Sequence, residues 1–371
     1  MRVNQIEQTI QQRALATADT PVLLMVSGGS DSTALAYIAY DLQRRGELKQ
    51  LAILHVNHQL RGDAADADAA FVQQLTDALH LPLFLVEINV GEIARMQKEN
   101  IEAVARHERY AAAQEALESL CRHAGTPISE GRIFTAHTQT DRIENFYMRS
   151  IVGTGPGGFR SMRYTNGNIA RPCLDVTREH LRDYLRRREL DAQADTAVVC
   201  VHDEQGNLWR DDATNAHTDQ FRAYVRHEIV PKARQRNPRL EETLCRSMNL
   251  IADEDDMLEA MVDDIANSCV QWTQQDNGII EYGAGCVLAP AFARHPLPLQ
   301  RRVVARVLQA ILGEDARIET ASIEAVTNGF ADGAPISGYT NNIQGNLALS
   351  ANKHGLTIEP MEVYRARRKG K

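Results

Sequence analysis

At 371 residues the chain exceeds the roughly 250–300 that one hydrophobic core serves, so two or three domains are expected. A hydrophobic content of 43% with 24% charged residues excludes wholesale disorder, collagen and coiled coil, and no apolar run approaches the ~18 residues that cross a bilayer. The net charge of −8 excludes a uniformly basic nucleic-acid coat, although local basic patches remain compatible with it. Six scattered cysteines (Cys121, Cys173, Cys200, Cys245, Cys269, Cys286) form no CxxC pair, and residues 1–20 lack an apolar stretch. Reduced thiols, a cytoplasmic location and no membrane association are therefore expected.

Strand and helix signals alternate through the first half. Pro21–Val26 is a short buried strand, and Ala34, Leu35, Ile38 and Leu42 follow at helical spacing. Strands are expected again at Leu51–Val56, Leu81–Val90 and Arg132–Ala136, with helices over Asp66–Leu79, Glu102–Leu120 and Asp141–Ile151 between and after them. This alternation predicts an α/β fold with a parallel sheet covered by helices on both faces. A glycine-rich stretch, Gly153–Gly158, then leads to a strand at Asn168–Arg171 and a helix opening near Thr177, a good N-cap residue.

Charge separates further on. Residues 222–239 hold six Lys or Arg and one acid, whereas residues 241–264 hold nine acids and one Arg. The domain boundary is placed near Asn237-Pro238, giving domains over 1–237 and 238–371. The second is expected to be smaller and mainly helical, with strands around Gly278–Val287 and Gly338–Ser350 and a solvated basic tail over Arg365–Lys371.

Ser27-Gly28-Gly29-Ser30-Asp31-Ser32 joins the first strand to the first helix, at the carboxyl edge where open α/β sheets bind ligands. Its glycines let backbone approach a phosphate, its hydroxyls can donate, and the helix amides point at an anion. The loop has neither GxxxxGK[ST] nor GxGxxG, so it offers no lysine to a γ-phosphate. His55, His58 and Arg61 lie just past the second strand, beside the same edge. Three basic runs, Arg178–Arg188, Arg222–Arg239 and the tail, are candidates for sequence-independent RNA phosphate contact, with Arg234, Arg236 and Arg239 singled out.

The SGGSDS loop resembles the PP-loop of ATP pyrophosphatases. His55–Gly62, Ile101–Tyr110, Thr135–Asn145, Gly153–Met162, Arg171–Leu174, Trp209–Asn215 and Arg222–Arg226 with Val230-Pro231 follow in an order that resembles tRNA(Ile)-lysidine synthetases over about residues 20–240. That resemblance implies ATP-dependent adenylylation at C2 of a cytidine in the CAU anticodon of tRNA(Ile), release of pyrophosphate, then displacement of AMP by the amine of free L-lysine. It also implies that Asp31 and Asp141 hold Mg²⁺ and that Asp31, Asp141, Glu144 and Arg222 are catalytic. The loop residues Ser27–Ser32, with His55 and His58, would bind ATP, and Arg61, Arg106, Arg109 and Arg226 the RNA or base. A homodimer is compatible with the resemblance.

Three positions depart from the family pattern. Thr140 replaces one of two adjacent carboxylates, Arg142 replaces a glutamine, and Ala223 replaces an asparagine. Asp141 and Glu144 keep i, i+3 spacing on one helical face, and Arg142 is expected to compensate for Thr140 by touching phosphate directly. The alternatives are another PP-loop tRNA-modifying enzyme, against which the missing CxxC counts, and a degenerate RNA-binding protein that has lost turnover.

Overall fold

The computed structural model describes residues 3–60, 62–210, 220–273, 275–276, 279–280, 285–313 and 316–369. They form two compact units, Met1–Ala252 and Asp253–Lys371.

The first unit is built on a six-stranded sheet ordered β3-β2-β1-β4-β6-β5, comprising β1 Pro21–Met25, β2 Gln50–Asn57, β3 Leu83–Glu87, β4 Arg132–Phe134, β5 Thr165–Asn166 and β6 Ile169–Ala170. Every neighbouring pair is parallel except β5 with β6. Because side chains alternate across a strand, β1 feeds two cores. Val22 and Leu24 pack on one face with Ile6, Leu35, Ile38, Phe71 and Leu75. Leu23 packs on the other with Ala113, Leu117 and Ile133. Burial of both faces explains why β1 reads as an unbroken apolar run, and each buried leucine contributes about 1.5–3 kcal/mol.

The helices of this unit are α1 Val3–Gln12, α2 Ser30–Arg44, α3 Asp63–Leu79, α4 Val90–Gln97, α5 Ile101–Ala124, α6 Gln139–Val152, α7 Arg178–Ala194, α8 Gln220–Tyr224, α9 Val230–Arg236 and the start of α10 Leu240–Cys269. The strands and helices expected between residues 21 and 194 appear in kind, whereas α1, α8 and α9 were not foreseen, and two boundaries differ instructively. The helix after β1, α2, starts at Ser30, inside the phosphate loop, so Asp31 belongs to its first turn. The third strand stops at Glu87, because Asn89 accepts the amide of Glu92 and caps the short helix α4.

The units divide within α10, fifteen residues beyond the boundary expected at Asn237-Pro238. Pro238 stands just ahead of a helix whose first half, through Leu240, Cys245 and Met248, packs with Ile143 and Val225 of the first unit. The helix start is thus not the break in packing.

The second unit pairs Val270–Trp272, Cys286–Leu288, Thr340–Ile343, Leu347–Asn352 and Gly355–Pro360 in an antiparallel sheet. Helices α11 Leu297–Leu312, α12 Thr320–Thr327 and α13 Met361–Lys369 complete it. Strand content is therefore larger than expected: Cys286–Leu288, Thr340–Ile343 and Leu347–Asn352 fall where strands were expected, around 278–287 and 338–350, whereas Val270–Trp272 and the hairpin partner Gly355–Pro360 were not foreseen. Within this unit Arg302 donates to Asp255 and Glu259, at 2.8 Å each, which offsets part of the acidic run. The basic tail is helical through Lys369, with Arg367 bonded to Glu359 and Ser350, and residues 365–369 are exposed, so the end is solvated as expected but built as a helix.

Candidate active site at the switch point of the sheet

Strand order reverses between β1 and β4, so chain leaving their carboxyl ends opens a crevice there. The loop after β1 and the loop after β4 meet at this point. Gly28 takes φ +88°, a left-handed turn that favours glycine, and Gly29 opens α2. Ser32 Oγ donates to the Gly29 carbonyl (3.1 Å) and Thr33 Oγ1 to that of Gly28 (3.1 Å), while the Ser27 amide donates to Ser32 Oγ (3.1 Å). The loop is thus braced by its own hydroxyls. A second brace comes from Arg210, whose amide donates to the Gly28 carbonyl at 2.9 Å and whose guanidinium reaches Asp68 and Asp203, both at 3.0 Å.

Across the crevice Thr138 caps α6. Its amide and hydroxyl both donate to Asp141 Oδ2 at 2.8 Å, leaving Oδ1 facing the crevice. There Oδ1 accepts from Arg222 Nη2 at 2.8 Å and lies 3.6 Å from Arg178 Nη2. Arg178 Nε also donates to Asp31 Oδ2 at 2.8 Å, so one guanidinium spans both carboxylates. One turn along α6, Glu144 accepts from Arg222 Nε (2.8 Å) and from Arg226 Nε and Nη2 (2.6 and 3.0 Å). Arg222 and Arg226 sit four residues apart, on α8 and the π-type turn over Val225–Ile229 that follows it.

The two aspartates differ in acidity. Burial raises the pKa of Asp31 and outweighs the opposing field of Arg178. Burial opposes ionisation of Asp141 too, but Arg178, Arg222 and the Thr138 amide together bring its pKa below the ordinary value. His137 sits beside them, its Nδ1 2.9 Å from Thr135 Oγ1, with its pKa pushed down to about 4, chiefly by burial. It is neutral at pH 7 and a poor base.

A contrasting group lies nearby. Arg106 and Arg109 stack on the Tyr110 ring at 5.1 and 5.7 Å, and Arg171 hydrogen-bonds the Tyr110 side chain. Among the described residues none of the three has a carboxylate partner, although Arg171 is buried. Uncompensated guanidinium charge of this kind suits an anion.

Of the site residues expected from the sequence, the structure brings Asp31, Asp141, Glu144, Arg222 and Arg226 into one cluster, with Arg109 beside it through the field it exerts on His137. His55 is buried behind the loop, and its Nδ1 donates to the Val26 carbonyl at 2.8 Å, so its role is to fix the strand end. Half-buried His58 follows β2. Arg61 and the motif from Asp211 to Asn215 lie outside the described residues. Arg234 and Arg239 are exposed and paired with Glu241 and Glu242, and Arg236 is exposed on α9.

Two expectations need correction. Arg142 does not face phosphate: it is fully buried, donating to Asn249 Oδ1 (2.9 Å) and Tyr164 Oη (3.4 Å), 3.6 Å from Asp175. The run Arg178–Arg188 is not one RNA-binding face. Arg178 reaches Asp31, Arg182 stacks on Trp209 at 5.6 Å, and Arg188 is buried against Asp41, since helical periodicity sends successive arginines to different sides. Arg171, Arg178, Thr138 and Tyr110 were missed as site residues. Thr177 as N-cap was the available clue that Arg178 opens a helix at the sheet's carboxyl edge.

Asp31 and Asp141 suit a divalent cation. Both offer hard carboxylate oxygen, they already share a cationic group, and Mg²⁺ is commonly held by one or two carboxylates together with substrate phosphates.

A parallel sheet with a glycine–serine loop and acidic helix starts at its switch point defines an anion-binding α/β protein. Residues 2–233 match the PP-loop domain, and the chain belongs to that family and, within it, to the tRNA(Ile)-lysidine synthase family. It is 31% identical to the tRNA(Ile)-lysidine synthase of Dehalococcoides mccartyi over 88% of this chain and 64% of that one. Identity to the synthase of Caldanaerobacter subterraneus is 27%, over 88% and 63%, and to that of Chlorobaculum tepidum 30%, over 70% and 69%. The chain therefore spans just under two thirds of the length of the first two relatives.

Proposed function

We propose that this protein is an ATP-dependent ligase that joins L-lysine to C2 of the wobble cytidine in the CAU anticodon of tRNA(Ile). The observation that carries the reading is the convergence of Asp31 from the phosphate loop and Asp141 from α6 on one guanidinium, which places a phosphate site and an acidic site side by side. ATP supplies the adenylyl group: the C2 oxygen attacks the α-phosphorus, pyrophosphate leaves, and a poor leaving group becomes a good one. When bound, Mg²⁺ at Asp31 and Asp141 would neutralise phosphate charge.

The protein's own residues do the positioning. Loop amides and hydroxyls of Ser27–Ser32 cradle the phosphates. Arg106, Arg109 and Arg171 receive anionic charge from the RNA or the adenylyl group. Asp141 presents the carboxylate that orients the incoming lysine amine, and Glu144, buried one turn along α6, holds Arg222 and Arg226 in place beside it. Arg234, Arg236 and Arg239 add sequence-independent RNA affinity. No described helix is long and apolar enough to cross a membrane, and this chemistry belongs in the cytoplasm, where a homodimer is compatible with it.

Pyrophosphate release is the test. It should require ATP, lysine and tRNA(Ile) with a CAU anticodon together for full turnover, with lysine incorporated into the RNA. Sustained multiple-turnover release without lysine would indicate a different tRNA modification, and no release with tight tRNA binding would indicate an RNA-binding protein without turnover.

A further inference from the structure

The cluster at the switch point is self-neutralising: Asp31, Asp141 and Glu144 face Arg178, Arg222 and Arg226, three charges against three. The arginines are not equivalent. Arg226 is bound to the almost fully buried Glu144 and Arg222 is shared between Glu144 and Asp141, at 2.8 Å from each, whereas Arg178 alone bridges Asp31 and Asp141 and is about a quarter exposed. Its Nε–Asp31 contact of 2.8 Å and its Nη2–Asp141 separation of 3.6 Å put the guanidinium in the space between the two carboxylates. A Mg²⁺ ion bound to both oxygens, at about 2.0–2.1 Å from each, needs that same space. Guanidinium and metal cannot occupy it together.

The helix that carries Arg178 is itself fixed. Thr177 caps α7, exchanging contacts with His180, and one turn later Arg182 stacks on Trp209 at 5.6 Å and reaches Ser30 Oγ at 3.4 Å. The backbone at Arg178 thus stays beside the phosphate loop while its long side chain can swing. Arginine is well suited to either partner, because its planar fork matches carboxylate and phosphate alike.

We propose that Arg178 is the resident counter-cation of the Asp31–Asp141 pair, and that it transfers to the nucleotide's phosphates when a divalent cation takes the carboxylates. The inference rests on the ATP-dependent reading above and assigns this arginine a positioning role within it. Without nucleotide, Arg178 competes with metal and keeps the carboxylates from binding it idly. With nucleotide, the phosphates accept the displaced guanidinium, so metal and nucleotide bind as a linked pair.

The test uses the full chain and Mn²⁺ as probe, with free Mn²⁺ read by electron paramagnetic resonance and ATP binding by calorimetry. Arg178→Gln should bind Mn²⁺ without nucleotide about tenfold more tightly than wild type and bind ATP in the presence of Mn²⁺ about tenfold more weakly. Arg178→Lys, which keeps the cation but not the fork, should leave nucleotide-free Mn²⁺ binding within about threefold of wild type. If Arg178→Gln misfolds by circular dichroism, the lysine variant decides: loss of ATP affinity together with unchanged Mn²⁺ binding supports the exchange, and unchanged ATP affinity overturns it. Mn²⁺ binding in Arg178→Gln equal to or weaker than wild type also overturns it and leaves Arg178 as a structural tie. Wild type that binds no ATP with Mn²⁺ present removes the ATP reading itself, an outcome distinct from the last.

Discussion

Arg142 on α6 donates through Nη2 to Oδ1 of Asn249 at 2.9 Å, joining two helices from chain positions 107 residues apart. Tyr164 and Asp175 share the same guanidinium, whose Nε has no hydrogen-bond partner among the described residues. A fully buried cation held this way is structural. Arg142→Gln should cost about 3 kcal/mol of folding stability in urea denaturation, while ATP affinity of the folded protein stays within about twofold. A large loss of ATP affinity at unchanged stability would return this residue to the phosphate site.

Asp31 is reachable from the crevice and bears on Arg178 alone among charged partners within hydrogen-bond distance in the described residues. Asp31→Ala should abolish pyrophosphate release while leaving the circular-dichroism spectrum intact. Mg²⁺-dependent turnover surviving in this variant would contradict the assigned role, and a lower melting temperature with normal kinetics would make the residue a helix-start element only.

His137 sets a pH limit on stability. Burial is the main cause of its pKa near 4; Asp141 pulls it up, and Arg171, Arg109 and Arg222 push it down. Because the folded value lies below the unfolded one of about 6.5, the unfolded chain binds the proton first as pH falls. The contribution is complete above pH ~6.5 and is lost progressively down to about pH 4, by at most ~3 kcal/mol. Urea titrations of wild type and His137→Gln at pH 7 and pH 4.5 should show the variant losing less stability on acidification. Parallel losses would show that other groups carry the acid sensitivity.

Arg234, Arg236 and Arg239 are exposed, and two of them pair with glutamates on α10. Exposed pairs of this sort contribute little and open readily, so the cations remain available to RNA. Neutralising all three should lower the salt slope of tRNA binding by about two and leave ATP affinity unchanged. An identical slope would mark the run as a solvated face.

The sheet was legible because its central strands β1 and β2 are buried on both faces and stand out as apolar runs between amphipathic helices, and the phosphate loop because glycine and hydroxyl residues follow β1 directly. Asp141 and Glu144 were legible through the family resemblance of their segment, and their i, i+3 spacing put them on one helical face. Arg142 was misread, since spacing places it between two site residues but does not say which side of the helix is solvent-facing; only packing against Asn249 and Asp175 does. Arg178 was hidden in a basic run, because a list of charges carries no information about Asp31, 147 residues earlier in the chain. The partly stranded second unit was under-read because its strands are short and alternate with turns.

Helix α6 turns Asp141 and Glu144 toward the arginines of the crevice and Arg142 toward Asn249, within a single turn. A slip of the helix by one residue would carry a guanidinium into the acidic pocket and a carboxylate into the interior. Neither side tolerates the exchange, so the helix is clamped in rotation and along its axis by opposite charges on opposite faces. The carboxylates therefore inherit their rotational setting about the helix axis from the protein's interior, and a substitution at Asn249, like one at Arg142, would register first as a loosened fold.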